Sequence, residues 1–230
     1  MINKKLIVIS LGGSLIIPDK VDFKFLDKFK DRIRRHYNTY KFIIIAGGGS
    51  IARKYIEALK KEGKPKNQLS QAGIRATRTN ALFLMQFFGK EVNDSLPMNM
   101  QEVKSNIHKN SVVISGALRF SKNSTSDTTA VKLANFLKTD FINITNVKGL
   151  YASDPKKNKD AKFIPKISWK EFEKMALKSK YSPGQHFVLD QTAATIIRKY
   201  KIPTYIIGKN LNNLENILKN KKFEGTLIED

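Results

Sequence analysis

Short apolar runs recur along the chain, and each is bounded by polar residues or glycine. Runs of this length are too short for core helices and predict buried strands. The predicted strands are 6–11, 42–46, 111–115, 140–145, 203–207 and 226–228.

Between these runs, apolar residues recur every three or four positions, which predicts amphipathic helices. The predicted helices are 21–37, 50–61, 72–88, 128–137, 171–177, 191–200 and 211–218. In helix 50–61 the residues expected to face the core are Ile51, Tyr55, Ala58 and Leu59. Continuous apolar strands that alternate with helices are typical of a sheet covered on both faces, so the pattern predicts an α/β fold.

The length of the chain and its lack of cysteine narrow the possibilities. A chain of 230 residues fits one large domain, or two lobes that share a sheet. The chain has no cysteine, which excludes disulfides, thiolate metal sites and cysteine nucleophiles and is compatible with a reducing cytoplasm. No apolar run approaches the roughly 18 residues of a membrane-spanning helix. The first apolar run is interpreted as a strand rather than a signal peptide, because no small-residue cleavage site follows it.

The chain is strongly basic, with 42 Lys and Arg residues against 20 Asp and Glu and a formal net charge of +22. Such a charge is compatible with nucleic-acid binding or with lysines scattered over solvent-facing helices. The basic residues are spread along the chain, and no basic block is interleaved with aromatic residues that would stack on bases. Scattered surface lysines are therefore the favoured interpretation. The positive field would still attract an anionic substrate.

Two glycine clusters each follow a predicted strand and precede a helix-forming segment: Gly12 and Gly13 in "SLGGS", and Gly47–Gly49 in "AGGGS". A helix N-terminus presents unpaired N–H groups, and glycine lets them approach a phosphate closely. Neither cluster is a P-loop or a dinucleotide fingerprint. One such cluster could be only a tight turn, but two favour a pair of phosphate sites and phosphoryl transfer between them. Arg53 lies one helical turn beyond the second cluster, either reaching a phosphate or facing solvent.

Six motifs occur in an order that resembles the amino acid kinase superfamily, and within it the archaeal-type uridylate (UMP) kinases. The motifs are "SLGGS", "AGGGSIARKYI", "GIRATRTNAL", "SDTTAVKLANFLKTD", "ITNVKGLYASDPKKNKDAK" and "VLDQTAATIIRKYKIPTYIIG". The most specific part is "TNVKGLYASDP", which is similar to the nucleotide-binding segment of the family. The resemblance extends from Leu6 to Glu229 and so covers nearly the whole chain.

The resemblance implies a fold and an activity. The implied fold is one domain over residues 1–230, a three-layer α/β/α sandwich around a mostly parallel sheet. Its acceptor-binding lobe would cover about 1–115 and its ATP-binding lobe about 116–230. The implied reaction is phosphoryl transfer from ATP, with Mg²⁺, to UMP, which gives UDP in pyrimidine nucleotide biosynthesis. A cytoplasmic homohexamer without a membrane or nucleic-acid partner is the matching expectation.

The matched motif positions imply roles for individual residues. The implied ATP-binding residues are Gly12, Gly13, Ser14, Thr145, Asn146, Tyr151 and Asp154, with Gly49 and Arg53 near the transferred phosphoryl group. The implied acceptor-binding residues are Gly48, Ser70, Thr125 and Ser126, and the implied catalytic residues are Arg53, Asp127 and Asp190. The polar residues at 125–127 and 190 stand where predicted helices begin, so helix capping is the alternative role for them.

Three positions depart from the family pattern. Ser10 stands where many members have a lysine, and Ser70 or Gln71 stands where an aspartate usually contacts the ribose of UMP. Segment 117–126 is longer than the usual loop and lacks its Pro-Gly pair. The last two departures concern the acceptor. Two alternatives therefore stay open: a kinase of another small phosphate such as isopentenyl phosphate, and a non-catalytic nucleotide sensor.

Overall fold

A computed structural model describes residues 4–118, 125–153, 155, 158–178 and 188–230. Its strands are β1 (Lys5–Leu11), β2 (Tyr40–Ala46), β3 (Val112–Ser115), β4 (Phe141–Ile144), β5 (Leu150–Tyr151), β6 (Phe163–Ile164), β7 (Lys166–Ile167), β8 (Thr204–Ile207) and β9 (Thr226–Ile228). Seven of these strands form one sheet in the order β3-β2-β1-β4-β8-β9-β7. All its pairings are parallel except that of β8 with β9, and β5 and β6 form a small antiparallel pair.

The helices are α1 (Gly13–Ile16), α2 (Phe23–Arg34), α3 (Gly49–Lys61), α4 (Lys66–Phe88), α5 (Met100–Lys109), α6 (Ser126–Leu137), α7 (Trp169–Lys178), α8 (Gln191–Tyr200) and α9 (Asn212–Leu218), with a short 3₁₀ turn at Gly89–Glu91. Among the described residues, no helix is both long and apolar enough to span a bilayer.

Two apolar cores lie on opposite faces of the sheet. Alternate residues of a strand point to opposite faces, so Ile7, Ile9 and Leu11 of β1 join one core while Val8 joins the other. The first core is closed by α1, α2, α4 and α9, and the second by α5, α6, α7 and α8. The layers are therefore helix, sheet and helix, which confirms the predicted three-layer α/β/α fold.

The predicted inward face of helix α3 is wrong. Tyr55 is 57% exposed, Ala58 is exposed, and Ser50 is the buried residue of this helix. Helix α3 packs against α4 rather than against the sheet. Its amphipathic pattern therefore meets another helix, which leaves Ile51 and Leu59 only half-buried.

The order of the strands determines where a ligand can bind. The chain proceeds from β1 to β2 on one side of β1, whereas β4 lies on the other side. In open parallel sheets, a crevice forms at the carboxyl ends of the strands where this direction changes. Here that crevice lies beyond Leu11, Ala46 and Ile144, where the two glycine clusters follow β1 and β2.

Candidate active site

The two glycine clusters lie in direct contact at the carboxyl edge of the sheet. Strands β1 and β2 are parallel neighbours whose ends, Leu11 and Ala46, are paired. A Cβ atom on Gly13 would lie 2.1 Å from the backbone nitrogen of Gly49 and 2.6 Å from the carbonyl carbon and oxygen of Gly47. Gly49 has a φ of +60°, and a Cβ on it would lie 2.3 Å from the carbonyl oxygen of Gly13. Only glycine allows this approach of one backbone to the other.

The backbone N–H groups of the two loops differ in whether they have an acceptor. The N–H groups of Gly12 and Gly47 continue the strand pairing, with bonds of 2.9 Å to the carbonyls of Ile144 and Leu11. Those of Gly13, Ser14 and Gly48 donate to no acceptor among the described residues. They lie at or beside the N-termini of α1 and α3, which carry a partial positive charge. The arrangement suits an anion that spans both loops.

Helix α4 supports the second glycine loop. The side-chain amide of Asn80, which is 3% exposed, donates to the carbonyl of Gly47 at 2.7 Å. The carbonyl oxygen of Gly73 lies 3.5 Å from the position that a Cβ of Gly48 would occupy. Ser70 precedes Gly73 by about one helical turn and is half-buried. The helix therefore brings this predicted acceptor residue towards the loop.

The start of the unusual 117–126 segment is also fixed by α4. The hydroxyl of Thr77 accepts a bond from the N–H of Ala117 at 2.9 Å. Arg78 donates from Nε to the carbonyl of Ala117 at 3.1 Å and from Nη2 to the carbonyl of Leu118. Residues 119–124 lie outside the described residues, so the acceptor-side departure in this segment stays a prediction.

Asp127 lies beside the first loop and carries a perturbed carboxyl group. The hydroxyl of Ser10 on β1 donates to its Oδ1 at 2.7 Å. Burial raises the pKa of Asp127 to about 7, although the Ser10 bond lowers it and the charge of Asp190 raises it further. The N–H of Asp127 donates to Thr125 Oγ1 at 3.1 Å. Thr125 is therefore the cap of α6, and the carboxyl group of Asp127 does not serve as that cap.

Asp190 links the N-termini of α6 and α8 through hydrogen bonds. It is 6% exposed and caps α8, accepting from the N–H of Ala193 at 2.8 Å. Thr125 Oγ1 lies 2.6 Å from its Oδ2, and Thr128 Oγ1 lies 2.6 and 2.8 Å from its two oxygens. Both oxygens thus have partners, which favours the capping alternative for Asp190 over direct contact with a substrate.

The predicted ATP-side residues lie along the segment that follows β4. Thr145 follows β4 directly, and its Cα lies 3.7 Å from the position of a Cβ on Gly12, so it borders the first loop. Asn146 is exposed and Tyr151 is half-buried on β5. The ring of Tyr151 meets Phe163 edge-on, with centroids 5.4 Å apart. Asp154 lies outside the described residues.

Arg53 and Ser126 are the remaining predicted residues. Arg53 is exposed on the first turns of α3, and no ion pair holds it among the described residues. Ser126 is the first residue of α6 and is half-buried. Both side chains are thus at least partly accessible to solvent.

Sequence reasoning missed three supporting residues: Asn80, Thr128 and Asn143. Asn143 on β4 is 3% exposed and donates to the carbonyl of Val188 at 2.8 Å, just before Asp190. The available signal was a polar residue at a position that the apolar periodicity assigns to the core, because such groups are buried with a partner.

Comparisons with known proteins agree with this geometry. The amino acid kinase family matches residues 5–208. Uridylate kinases of Pyrococcus abyssi and Thermoplasma volcanium are 34% and 36% identical over 97% of this chain, covering 99% and 97% of their own lengths. The crystal structure of the Archaeoglobus fulgidus uridylate kinase superposes with a TM-score of 0.81 at 31% identity, covering 96% of this chain and 99% of that one.

Proposed function

Because the chain belongs to the amino acid kinase family, we propose that it is a uridylate kinase that transfers the γ-phosphoryl group of ATP to UMP. The observation that carries this proposal is the contact between the two glycine loops. Loops that touch can hold the phosphates of two nucleotides close enough for direct transfer. The relatives named uridylate kinase match over nearly their whole length, which supports UMP as the acceptor.

The chain's own contribution to this reaction is binding, alignment and charge neutralisation. An oxygen of the UMP phosphate attacks the γ-phosphorus, and the bond from that phosphorus to the β-phosphate oxygen breaks. No protein nucleophile is needed, so catalysis depends on positioning and on groups that stabilise negative charge. We propose that Gly12, Gly13 and Ser14 hold the ATP phosphates. Gly48 and Gly49 would hold the acceptor phosphate, and Arg53 would approach the transferred group.

The base, ribose and acceptor contacts are proposals of the same kind. We assign Thr145, Asn146, Tyr151 and Asp154 to the nucleoside of ATP, and Ser70, Thr125 and Ser126 to UMP. The proposed lobe boundary near residue 115 is compatible with the sheet order, because β2 and β3 lie on one side of β1 whereas β4 and β8 lie on the other. A homohexamer in the cytoplasm stays a prediction from the sequence resemblance.

Mg²⁺ is expected to accompany ATP. When bound, it would supply positive charge that offsets the negative charge of the phosphates. The described residues include no cluster of three or more histidines and carboxylates, and both oxygens of Asp190 already have hydrogen-bond partners. Because Mg²⁺ usually binds through substrate phosphates with few protein ligands, we propose that the phosphate oxygens of ATP hold it here.

The test is a coupled assay with ATP, Mg²⁺ and a panel of UMP, CMP, dUMP and isopentenyl phosphate. We expect UMP to be the preferred acceptor by kcat/KM. Preference for isopentenyl phosphate would instead support the alternative kinase. ATP binding without turnover of any acceptor would support the nucleotide sensor.

A further inference from the structure

Ser10 is a buried hydroxyl in the middle of an apolar strand. It lies two residues before Gly12 and is 0% exposed. Its side chain shares a sheet face with Val8, because side chains alternate along β1, and this face is covered by α6 and α8. The paired residues on the neighbouring strands are Ile45 and Asn143. A hydroxyl at such a position is costly unless it has a partner.

The partner is the carboxyl group of Asp127, 117 residues away in the chain, at 2.7 Å. The two carboxylates at this edge are held in different ways. Asp190 has partners for both oxygens from two threonine hydroxyls and a backbone N–H. For Asp127, the Ser10 hydroxyl is the hydrogen-bond donor that the described residues provide. Among the described residues, Ser10 is therefore the side chain whose hydrogen bond orients that carboxyl group.

The charges around Asp127 make this donor important. The like charge of Asp190 on α8 bears on it, and burial also disfavours its ionised form. The strands beneath contribute neutral groups, the hydroxyl of Ser10 on β1 and the amide of Asn143 on β4. A hydrogen bond to a carboxylate favours the ionised form, so Ser10 opposes both other influences.

We propose that Ser10 is a positioning residue of the phosphoryl-transfer site, whose hydroxyl fixes the Asp127 carboxylate beside the first glycine loop and stabilises its negative charge. In this proposal the fixed, ionised carboxylate is the form of the site that supports turnover, and the neutral form is not. The consequence for turnover rests on the proposed kinase function. The hydrogen bond and its effect on Asp127 do not, and they can be measured without substrates.

The direct experiment is an NMR titration of protein labelled with ¹³C at the aspartate carboxyl carbon. Asp127→Asn identifies the resonance of Asp127. We expect Ser10→Ala to move the titration midpoint of that resonance up by roughly one to two pH units, as loss of a bond to a charged group implies. Ser10→Thr, which keeps the hydroxyl, is expected to restore it. An unchanged midpoint in Ser10→Ala would overturn the proposal.

Ser115→Ala is the matched control. Ser115 is another fully buried serine at the carboxyl end of a parallel strand, but its hydroxyl lies 3.2 and 3.1 Å from the carbonyls of Pro97 and Gly116. We expect Ser115→Ala to leave the titration midpoint of Asp127 unchanged. A shift as large as that in Ser10→Ala would overturn the specific role of Ser10. If Ser10→Ala folds poorly, Ser10→Cys, a weaker donor of similar size, should give an intermediate midpoint.

The kinetic experiment measures kcat against pH at saturating substrates. For Ser10→Ala we expect the apparent pKa of the acid limb of this profile to rise by the same one to two pH units. Turnover at pH 7 would then fall by about five- to fiftyfold and recover between about pH 9 and 10, because one pH unit changes the ionised fraction up to tenfold. A uniform loss at all pH values would refute the positioning role. If the carboxyl titration shifts as expected while the wild type shows no kinase activity, the proposed function fails and the role of Ser10 in holding Asp127 stands.

Discussion

Gly13→Ala is the change that most directly challenges the contact between the two loops. The new methyl group would lie 2.1 Å from the nitrogen of Gly49. To bring this contact to 3.0 Å, the two backbones must separate by about 0.9 Å. Both partners are backbone, so no side-chain rotation can relieve the overlap. Overpacking of this kind costs roughly 1–3 kcal/mol, which lowers Tm by about 2–4 °C per kcal/mol in a chain of this size.

The effect on activity should exceed the effect on stability. A displacement near 1 Å between reacting groups can reduce turnover by about 100-fold. We therefore expect kcat for UMP phosphorylation to fall by about two orders of magnitude at a temperature where the variant remains folded. Steady-state kinetics and a thermal melt are measured on the same preparation.

Gly63→Ala is the control for this change. Gly63 has a φ of +69°, but no atom lies within 4 Å of its added Cβ, and it lies between α3 and α4, away from the loops. We expect a loss of about 1 kcal/mol with kcat unchanged. Normal kcat in Gly13→Ala would refute the reasoning that the two loops must touch for transfer.

Three other predictions concern single side chains. Arg53→Ala should lower turnover, measured by steady-state kinetics, far more than it weakens ATP binding, measured by calorimetry. Lys60→Ala on the same helix is the control and should change neither quantity. Unchanged turnover in Arg53→Ala would exclude Arg53 from the mechanism. Asn80→Leu leaves the Gly47 carbonyl without its donor, so we expect a loss of roughly 1–3 kcal/mol in the free energy of unfolding and a larger increase in KM for UMP than for ATP; equal KM values in variant and wild type would contradict the support role. The pKa of Asp127 is about 7 in the fold and about 3.9 in an unfolded chain, so the folded state binds the carboxyl proton more tightly. The stability contributed by this bound proton is therefore present below about pH 4 and is lost as the pH rises through about 7. Asp127→Asn should therefore melt several degrees above the wild type at pH 8 but not at pH 4, and equal melting temperatures at both pH values would contradict the raised pKa.

The sequence was sufficient to predict elements with a strong local pattern. Strands β1 and β2 are continuous apolar runs, and α8 at Gln191–Tyr200 and β9 at Thr226–Ile228 have the predicted bounds. Helix α5 was missed because it buries only Val103 and Ile107. Its start was nevertheless readable, since Asn99 accepts from the N–H of Glu102 as a helix cap does. Strands β5, β6 and β7 have two residues each, too few to show an alternation.

The candidate site also has parts that a local sequence pattern predicts and parts that it does not. The glycine loops were predictable because each is a local strand-to-helix connection. The pairing of Ser10 with Asp127 joins residues 117 positions apart, and that of Thr128 with Asp190 joins residues 62 apart. No local pattern carries such pairings, because they depend on which strands and helices become neighbours. The exposed face of α3 was misjudged for the same reason, since periodicity does not say whether a helix meets a sheet or another helix.

The central claim is that the two loops hold the phosphates of two nucleotides in one continuous site. Calorimetric titration with adenosine and uridine joined by a chain of five phosphates tests it most directly. We predict that one molecule binds per chain, more tightly than ATP or UMP alone, and that it displaces both. Binding of two molecules per chain, or displacement of only one nucleotide, would contradict the account.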